Sequence, residues 1–340
     1  MNTQMMSLLL PIAALLGWGG AFLVARHGQR VGLLDHPNAR SSHLRPTPKG
    51  GGIGILAAVG MAGIMLEVPW YAWVPAVMVA TFSIGADLRD IAPSTRLKMH
   101  FLAAFVFLIA HAVSTPDNWN VLLLIVPWAI FVAGTENIYN FMDGINGIAG
   151  LSGVVGFSLL ALFLARFRAS GDAVLLYCLL AAACAGFLPL NFPRARVFMG
   201  DVGSILLGFL FACGVVMAGH SVQDFMCAAS FLFPFYADEI TTMFVRLRNG
   251  ENLTTAHRRH VYQLLVNEME YPHWKVAVGY GMTQAAVGAG SLLLVSRGWL
   301  ALSCFLFACS ITFVIVQACI RMAASAKQVT SQQYGSRVSA

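Results

Sequence analysis

The stretch 203–219, GSILLGFLFACGVVMAG, decides the fold: it holds no charged residue, and its only hydroxyl is Ser204. About 20 largely apolar residues are needed to cross the hydrocarbon of a bilayer as a helix. Working outward, ten further runs of this kind lie near 5–25, 51–66, 70–86, 97–113, 120–138, 145–165, 173–190, 225–244, 274–295 and 299–320. The strict alternation of a transmembrane barrel is absent, which leaves helices as the spanning element. Composition agrees, with 58% apolar and only 11% charged residues, where a soluble surface is clothed by roughly 25%. The expectation is an all-α, polytopic helical bundle of about eleven transmembrane helices.

Its organisation is read as one transmembrane domain over 1–324, with polar connections at 26–50, 86–98, 139–147, 191–202 and 246–274. A Ser/Gln-rich stretch, 325–340, is expected to be a flexible tail. The first run has no basic residue ahead of it and Arg26 behind it. That polarity is opposite to a cleaved signal peptide, so the run is read as an anchor. With eleven spans, 18 of the 21 Lys and Arg residues fall on one side, and only Arg166, Arg168 and Arg297 on the other. Basic residues concentrate in cytoplasmic loops. The N-terminus is therefore expected outside and the C-terminus in the cytoplasm, and the net charge of +6 implies no nucleic-acid partner. The seven cysteines all lie in apolar runs without a CxxC spacing, and are read as small packing residues rather than disulfide or zinc ligands.

Polar residues that are expensive in a membrane gather on the same expected face. In NIYNFMDGINGIAG (137–150) and the residue before it, Glu136, Asn140 and Asp143 share one helical face at about 100° per residue. Asp and Asn oxygens suit a hard cation or a ribose, and Gly144 and Gly147 would let backbone approach a ligand. In NFPRARVFMGDVGS (191–204), Arg194 and Arg196 offer paired donors to phosphate, and Asp201 offers a carboxylate for Mg²⁺. AHRRHVYQ (256–263) places His257, Arg258 and His260 together. No carboxylate or thiol completes a metal set there, so phosphate contact is the better reading. DHPNARSSHLRPTPKGGG (35–52) brings Lys49 before three glycines, without a Walker pattern. GADLRDIAPSTRLKMH (85–100) sets Asp87 and Asp90 at the end of the third run. For each segment alone, a solvated turn or helix end is the plain alternative. Five such segments on one face instead form a set of carboxylates for a divalent ion and Arg, Lys and His for phosphates, the equipment of phosphoryl transfer.

In this order these motifs resemble the polyprenyl-phosphate N-acetylhexosamine-1-phosphate transferases, over about 35–263. HRRHVYQ with FMDGING is most similar to the branch that begins O-antigen chains with N-acetylfucosamine or N-acetylquinovosamine. The resemblance implies a bacterial inner-membrane enzyme with a cytoplasmic active site. It would transfer sugar 1-phosphate from a UDP-N-acetylhexosamine to undecaprenyl phosphate with Mg²⁺, or Mn²⁺ in its place, releasing UMP. Carried over by motif, Asp201 would be a metal ligand with Asp143. Asn137, Asn140 and Asn146 would contact the nucleotide side, and His257, Arg258 and His260 phosphate or sugar. Lys49, Arg194 and Arg196 would meet phosphates, and Asp87 and Asp90 would be the acids of the third-run motif. The chain departs from the family's adjacent Asp-Asp pair, with Ala86 at the first position, so a catalytically impaired member is one alternative. A transporter or flippase is another, though transporter sites favour broken helices at the midplane and internal repeats, and no repeat is visible. The partners expected are the UDP-sugar, undecaprenyl phosphate and the bilayer, with a homodimer left open.

Overall fold

The computed structural model describes residues 3–37, 41–89, 91–115, 120–167, 171–252, 255 and 257–338. Every apolar run is helical. The helices are α1 (Thr3–His27), α2 (Ile53–Met65), α3 (Trp70–Leu88), α4 (Pro93–Ser114), α5 (Asn120–Leu123), α6 (Ile125–Met142), α7 (Ile148–Phe167), α8 (Gly171–Asn191) and α9 (Asp201–Ala218). They continue with α10 (Val222–Ser230), α11 (Phe233–Arg248), α12 (Val261–Gln263), α13 (His273–Leu294) and α14 (Trp299–Val338). Seven helices among the described residues are long and apolar enough to cross a membrane, which with the many shorter ones makes this an all-α, multi-pass membrane protein.

Two of the expected runs are interrupted. The run at 120–138 is a single turn, α5, followed by α6; the run at 225–244 is α10 followed by α11. Proline explains the place of each restart, because Pro127 and Pro234 sit in the first turns of α6 and α11, where a missing N–H costs nothing. Residues 325–338, expected as a flexible tail, continue α14 as helix. Their Ala, Lys, Gln and Ser residues are helix-compatible and contain no proline.

The stretch read first, α9, is the centre: 89% of it is buried, against 6% of the most apolar window of α14. Around it, α9 packs on α3 and α6, while α8 packs on α1 and α7. Close approach of α1 and α8 depends on small residues, since a Cβ on Gly17 or Gly186 would strike the backbone of Ala183 or Ala14. Helices that associate within lipid rely on such contacts, having no water to expel. Leu8, Leu15, Ile64, Met78, Val113, Leu162, Phe307 and Met322 remain exposed on the outside of the bundle, as a lipid-facing surface requires.

Among the described residues, paired strands occur in the polar connection between α1 and α2. Strands β1 (Leu34–Asp35) and β2 (Thr47–Pro48) pair antiparallel, Leu34 opposite Pro48 and Asp35 opposite Thr47. The chain beyond β2 lies parallel to the segment before α9: Phe198 N–H donates to the Pro48 carbonyl at 2.8 Å, and the Gly51 and Gly52 N–H groups donate to Phe198 and Met199 at 2.9 Å. The glycines after Lys49 thus let this segment pack against the start of α9, for a Cβ on Gly52 would overlap Gly203.

Candidate active site

The ends of α6, α8, α9 and α13 meet the β1–β2 hairpin around a cavity of about 350 Å³. Asn140 is in the last turn of α6 and Asp143 caps that helix, its N–H donating to the Asn140 carbonyl at 3.1 Å. Asp201 is the first residue of α9, set there by Gly200 at φ 73°. Both carboxylates line the cavity, with Asp35, Lys49, Asn140, Asn146, Asn191, Gln263 and His273.

Electrostatics make the acidic pair unusual. Burial, followed by the negative charge of Asp201, pushes the Asp143 carboxyl well above the ordinary carboxylate range. Asp201 has a cation of its own: Arg96 Nη1 lies 2.7 Å from Asp201 Oδ2, and Nη2 donates to the Ala86 carbonyl at 2.9 Å. Two carboxylates that penalise each other's charge are a donor set that a hard divalent cation satisfies. Among the described residues no group of three or more His, Cys, Asp or Glu side chains gathers at metal-ligand spacing. Two carboxylates are nonetheless the share a protein commonly supplies to Mg²⁺, phosphates and water supplying the rest, so the residues present fit that ion.

The loop between α6 and α7 is fixed from three sides. Asn191 Oδ1 accepts from Gly147 N–H at 2.7 Å, and its Nδ2 donates to the Val197 carbonyl at 2.8 Å. His273 Nδ1 accepts from Asn146 N–H at 3.2 Å. Tyr262 Oη donates to the Phe141 carbonyl at 2.9 Å. Gly144 lines the cavity, and a Cβ on it would meet the Tyr262 hydroxyl, while Gly147, at φ 84°, faces the Phe192 ring.

Residues 69–219 match the family described as glycosyl transferase family 4. Over 297 residues the chain is 26% identical to the decaprenyl-phosphate N-acetylglucosaminephosphotransferase of Mycobacterium tuberculosis (strain ATCC 25618 / H37Rv), covering 73% of this chain and 72% of that one. It is 26% identical over 294 residues to the undecaprenyl-phosphate alpha-N-acetylglucosaminyl 1-phosphate transferase of Yersinia pestis, 78% of each. A probable undecaprenyl-phosphate N-acetylglucosaminyl 1-phosphate transferase of Bacillus subtilis is 31% identical over 210 residues, 55% of this chain and 56% of that one. Over residues 69–219 the chain is similar to glycosyl transferase family 4.

The structure brings Lys49, Asn140, Asp143, Asn146 and Asp201 to one cavity. Others stand apart from it. Asn137 turns its amide back to the Ala133 carbonyl of its own helix at 2.7 Å. Arg194 is exposed beside a second depression shared with Asn146, Phe192, His273 and Trp274, and Arg196 is exposed. His257, Arg258 and His260 do not line the cavity of Asp143 and Asp201. His260 is instead buried against α11, 3.7 Å from Asp238 and 3.5 Å from Glu239. The His257 ring is 4.8 Å from that of His260, and burial with the neighbouring cations pushes its pKa down to about 4, so it is neutral at pH 7. The side chain of Asp87 and the whole of Asp90 lie outside the described residues.

The sequence reading missed Arg96, Asn191, Gln263 and His273 as site residues. Arg96 carried a signal, being an arginine at the mouth of an apolar run and therefore in need of a partner. His273 carried none, because only the return of α13 to this cavity makes it a neighbour of Asn146.

Proposed function

We propose that this protein transfers N-acetylhexosamine 1-phosphate from a UDP-sugar to undecaprenyl phosphate, releasing UMP. This is the first membrane step of a bacterial cell-envelope polysaccharide such as O-antigen. The observation that carries the reading is the pair Asp143 and Asp201 in one cavity with Lys49 and three asparagines, in a multi-pass protein whose relatives are named for this kind of transfer. The loops that build the cavity also hold most of the Lys and Arg. The positive-inside rule therefore puts them in the cytoplasm, with eleven crossings and the N-terminus outside. That is where a water-soluble donor meets a phosphate whose C55 chain stays in the bilayer.

Asp143 and Asp201 would hold Mg²⁺, or Mn²⁺, against the donor diphosphate, and the ion supplies charge neutralisation there. Lys49 adds a positive charge for phosphate oxygens, Asn140 and Asn146 offer amides to the ribose and base, and Asn191 holds the loop that carries Asn146. Arg96 holds Asp201 in place and links it to the end of α3. An oxygen of the lipid phosphate attacks the β-phosphorus of the donor in line, a new P–O bond forms, and the bond to UMP breaks. A phosphate monoester is ionised near pH 7, its second pKa being about 6, so no protein base is demanded. Positioning and charge then carry the catalysis.

The test is UMP release by purified protein given UDP-N-acetylhexosamines, undecaprenyl phosphate and Mg²⁺. We expect turnover that chelation abolishes and that Asp201→Ala lowers by about 1,000-fold, the scale of losing a main electrostatic contact. An Asp201→Ala protein as fast as the parent would remove the assignment. A slowed enzyme of the same kind is the second reading, favoured by Ala86. That residue is 3% exposed, and its carbonyl meets the same guanidinium that holds Asp201. Under this second reading Ala86→Asp raises turnover about 100-fold, the low end of what a positioned acid or base contributes; an unchanged or lower rate discards it.

A further inference from the structure

One turn beneath the cavity lies a pair of ionisable residues that no step above uses. His100 Nδ1 of α4 is 3.0 Å from Glu136 Oε2 of α6, with side-chain exposures of 4% and 0%. Neither oxygen of Glu136 has another polar partner among the described residues. Ionisable groups within an apolar bundle are costly and persist where they serve a purpose. The place of this pair suggests the purpose. His100 is four residues along α4 from Arg96, and Glu136 is four residues along α6 from Asn140, so each stands one helical turn below a residue of the site. The third wall is α9, where a Cβ on Gly208 would come within 2.7 Å of the Glu136 Cα. Gly208 is two turns below Asp201. Glu136 is thus wedged where the three helices that deliver Arg96, Asn140 and Asp201 converge.

We propose that His100 and Glu136 are a positioning pair: they lock the register of α4 against α6 and α9, and so hold Arg96 on Asp201 and Asn140 at the cavity, without touching substrate. The alternative, a pair that merely stabilises the bundle, would leave each folded molecule equally active. A turnover effect of this origin rests on the transferase reading, whereas the helix register does not. Both are therefore measured.

The experiment compares wild type, Glu136→Gln, His100→Gln and the double variant, each purified as the full chain in detergent. Turnover per folded protein is expected to fall about tenfold or more in either single variant, as small displacements in an active site do, with the KM for the UDP-sugar rising as Asn140 leaves its place. The double variant should fall no further than the worse single one, because the two act as a unit. Independently, spin labels at Leu97→Cys and Phe141→Cys report the α4–α6 spacing beside Arg96 and Asn140, with Cys178, Cys304, Cys309 and Cys319 replaced by alanine. Their distance distribution is expected to be narrow in the parent and broadened or shifted by Glu136→Gln. Single variants with full turnover per folded protein, or an unchanged label distribution, would overturn the proposal. If the parent turns over no sugar nucleotide, the transferase reading fails and the label distances alone decide the pair.

Discussion

At the scale of single residues, the metal-binding role proposed for Asp143 opposes stability. Its carboxyl titrates above the ordinary range because of burial and Asp201, so the folded protein keeps a proton that the unfolded chain loses near pH 4. Between that pH and its raised native value, the native state binds more protons than the unfolded one. Stability therefore falls as pH rises through this window, and the loss is complete above it. Asp143→Asn removes the penalty. In a chelator, the melting temperature of the variant should overtake that of wild type as pH is raised from about 5 to 8, while turnover drops by about 100-fold or more. Added Mg²⁺ should then raise the wild-type melting temperature and leave the variant's in place. A wild type that melts higher than the variant throughout the range, in chelator, would contradict the electrostatic account.

At the scale of elements, what could be read from sequence was local, and what could not depended on return contacts. The apolar runs needed only hydropathy and length. The break between α10 and α11 is hidden because the apolar residues run unbroken through FLFPF at 231–235. The cavity was half legible: Asp143 and Asp201 stand out as acids at the ends of apolar runs. The histidines of 256–263 do not declare from spacing that His260 turns inward to α11. Asp238 on that helix accepts from the Val261 N–H at 2.9 Å and from Tyr280 Oη at 2.6 Å. Two turns on, Arg246 Nη2 donates to the carbonyls of Asn252 at 2.6 Å and Thr255 at 2.8 Å. One face of α11 thus holds the 246–274 connection in shape. Arg246→Met should keep the apolar packing of the stem and release those carbonyls. Limited proteolysis would then cut within 249–260 at least about tenfold faster, an opening cost of roughly 1.4 kcal/mol. A cleavage rate equal to wild type would mean that the loop is held by other contacts.

At the scale of the whole molecule, the convergence of helix ends constrains the threading more tightly than helix length does. α2 has 13 residues, roughly 20 Å at 1.5 Å per residue, short of a hydrocarbon core of about 30 Å. Yet Gly52, just before α2, touches the segment leading into α9, and Ala86, near the end of α3, meets Arg96 and through it Asp201. The α2–α3 unit therefore leaves the cavity face and returns to it. The same reasoning treats α10 and α11 as one crossing: α9 begins at the cavity and α13 also begins there, with His273 lining it. Were α10 and α11 two crossings, α13 would start on the far side. This threading leads to the proposed eleven crossings, and it is open to test with single cysteines in a background whose own cysteines are replaced by alanine. A membrane-impermeant maleimide on intact cells should label Glu67→Cys and Gly298→Cys but not Arg194→Cys or Lys327→Cys. Inverted vesicles should give the reverse pattern. Labelling of Arg194→Cys from outside would place the cavity on the wrong face for a nucleotide donor, and labelling of Gly298→Cys and Lys327→Cys from one side would remove the last crossing.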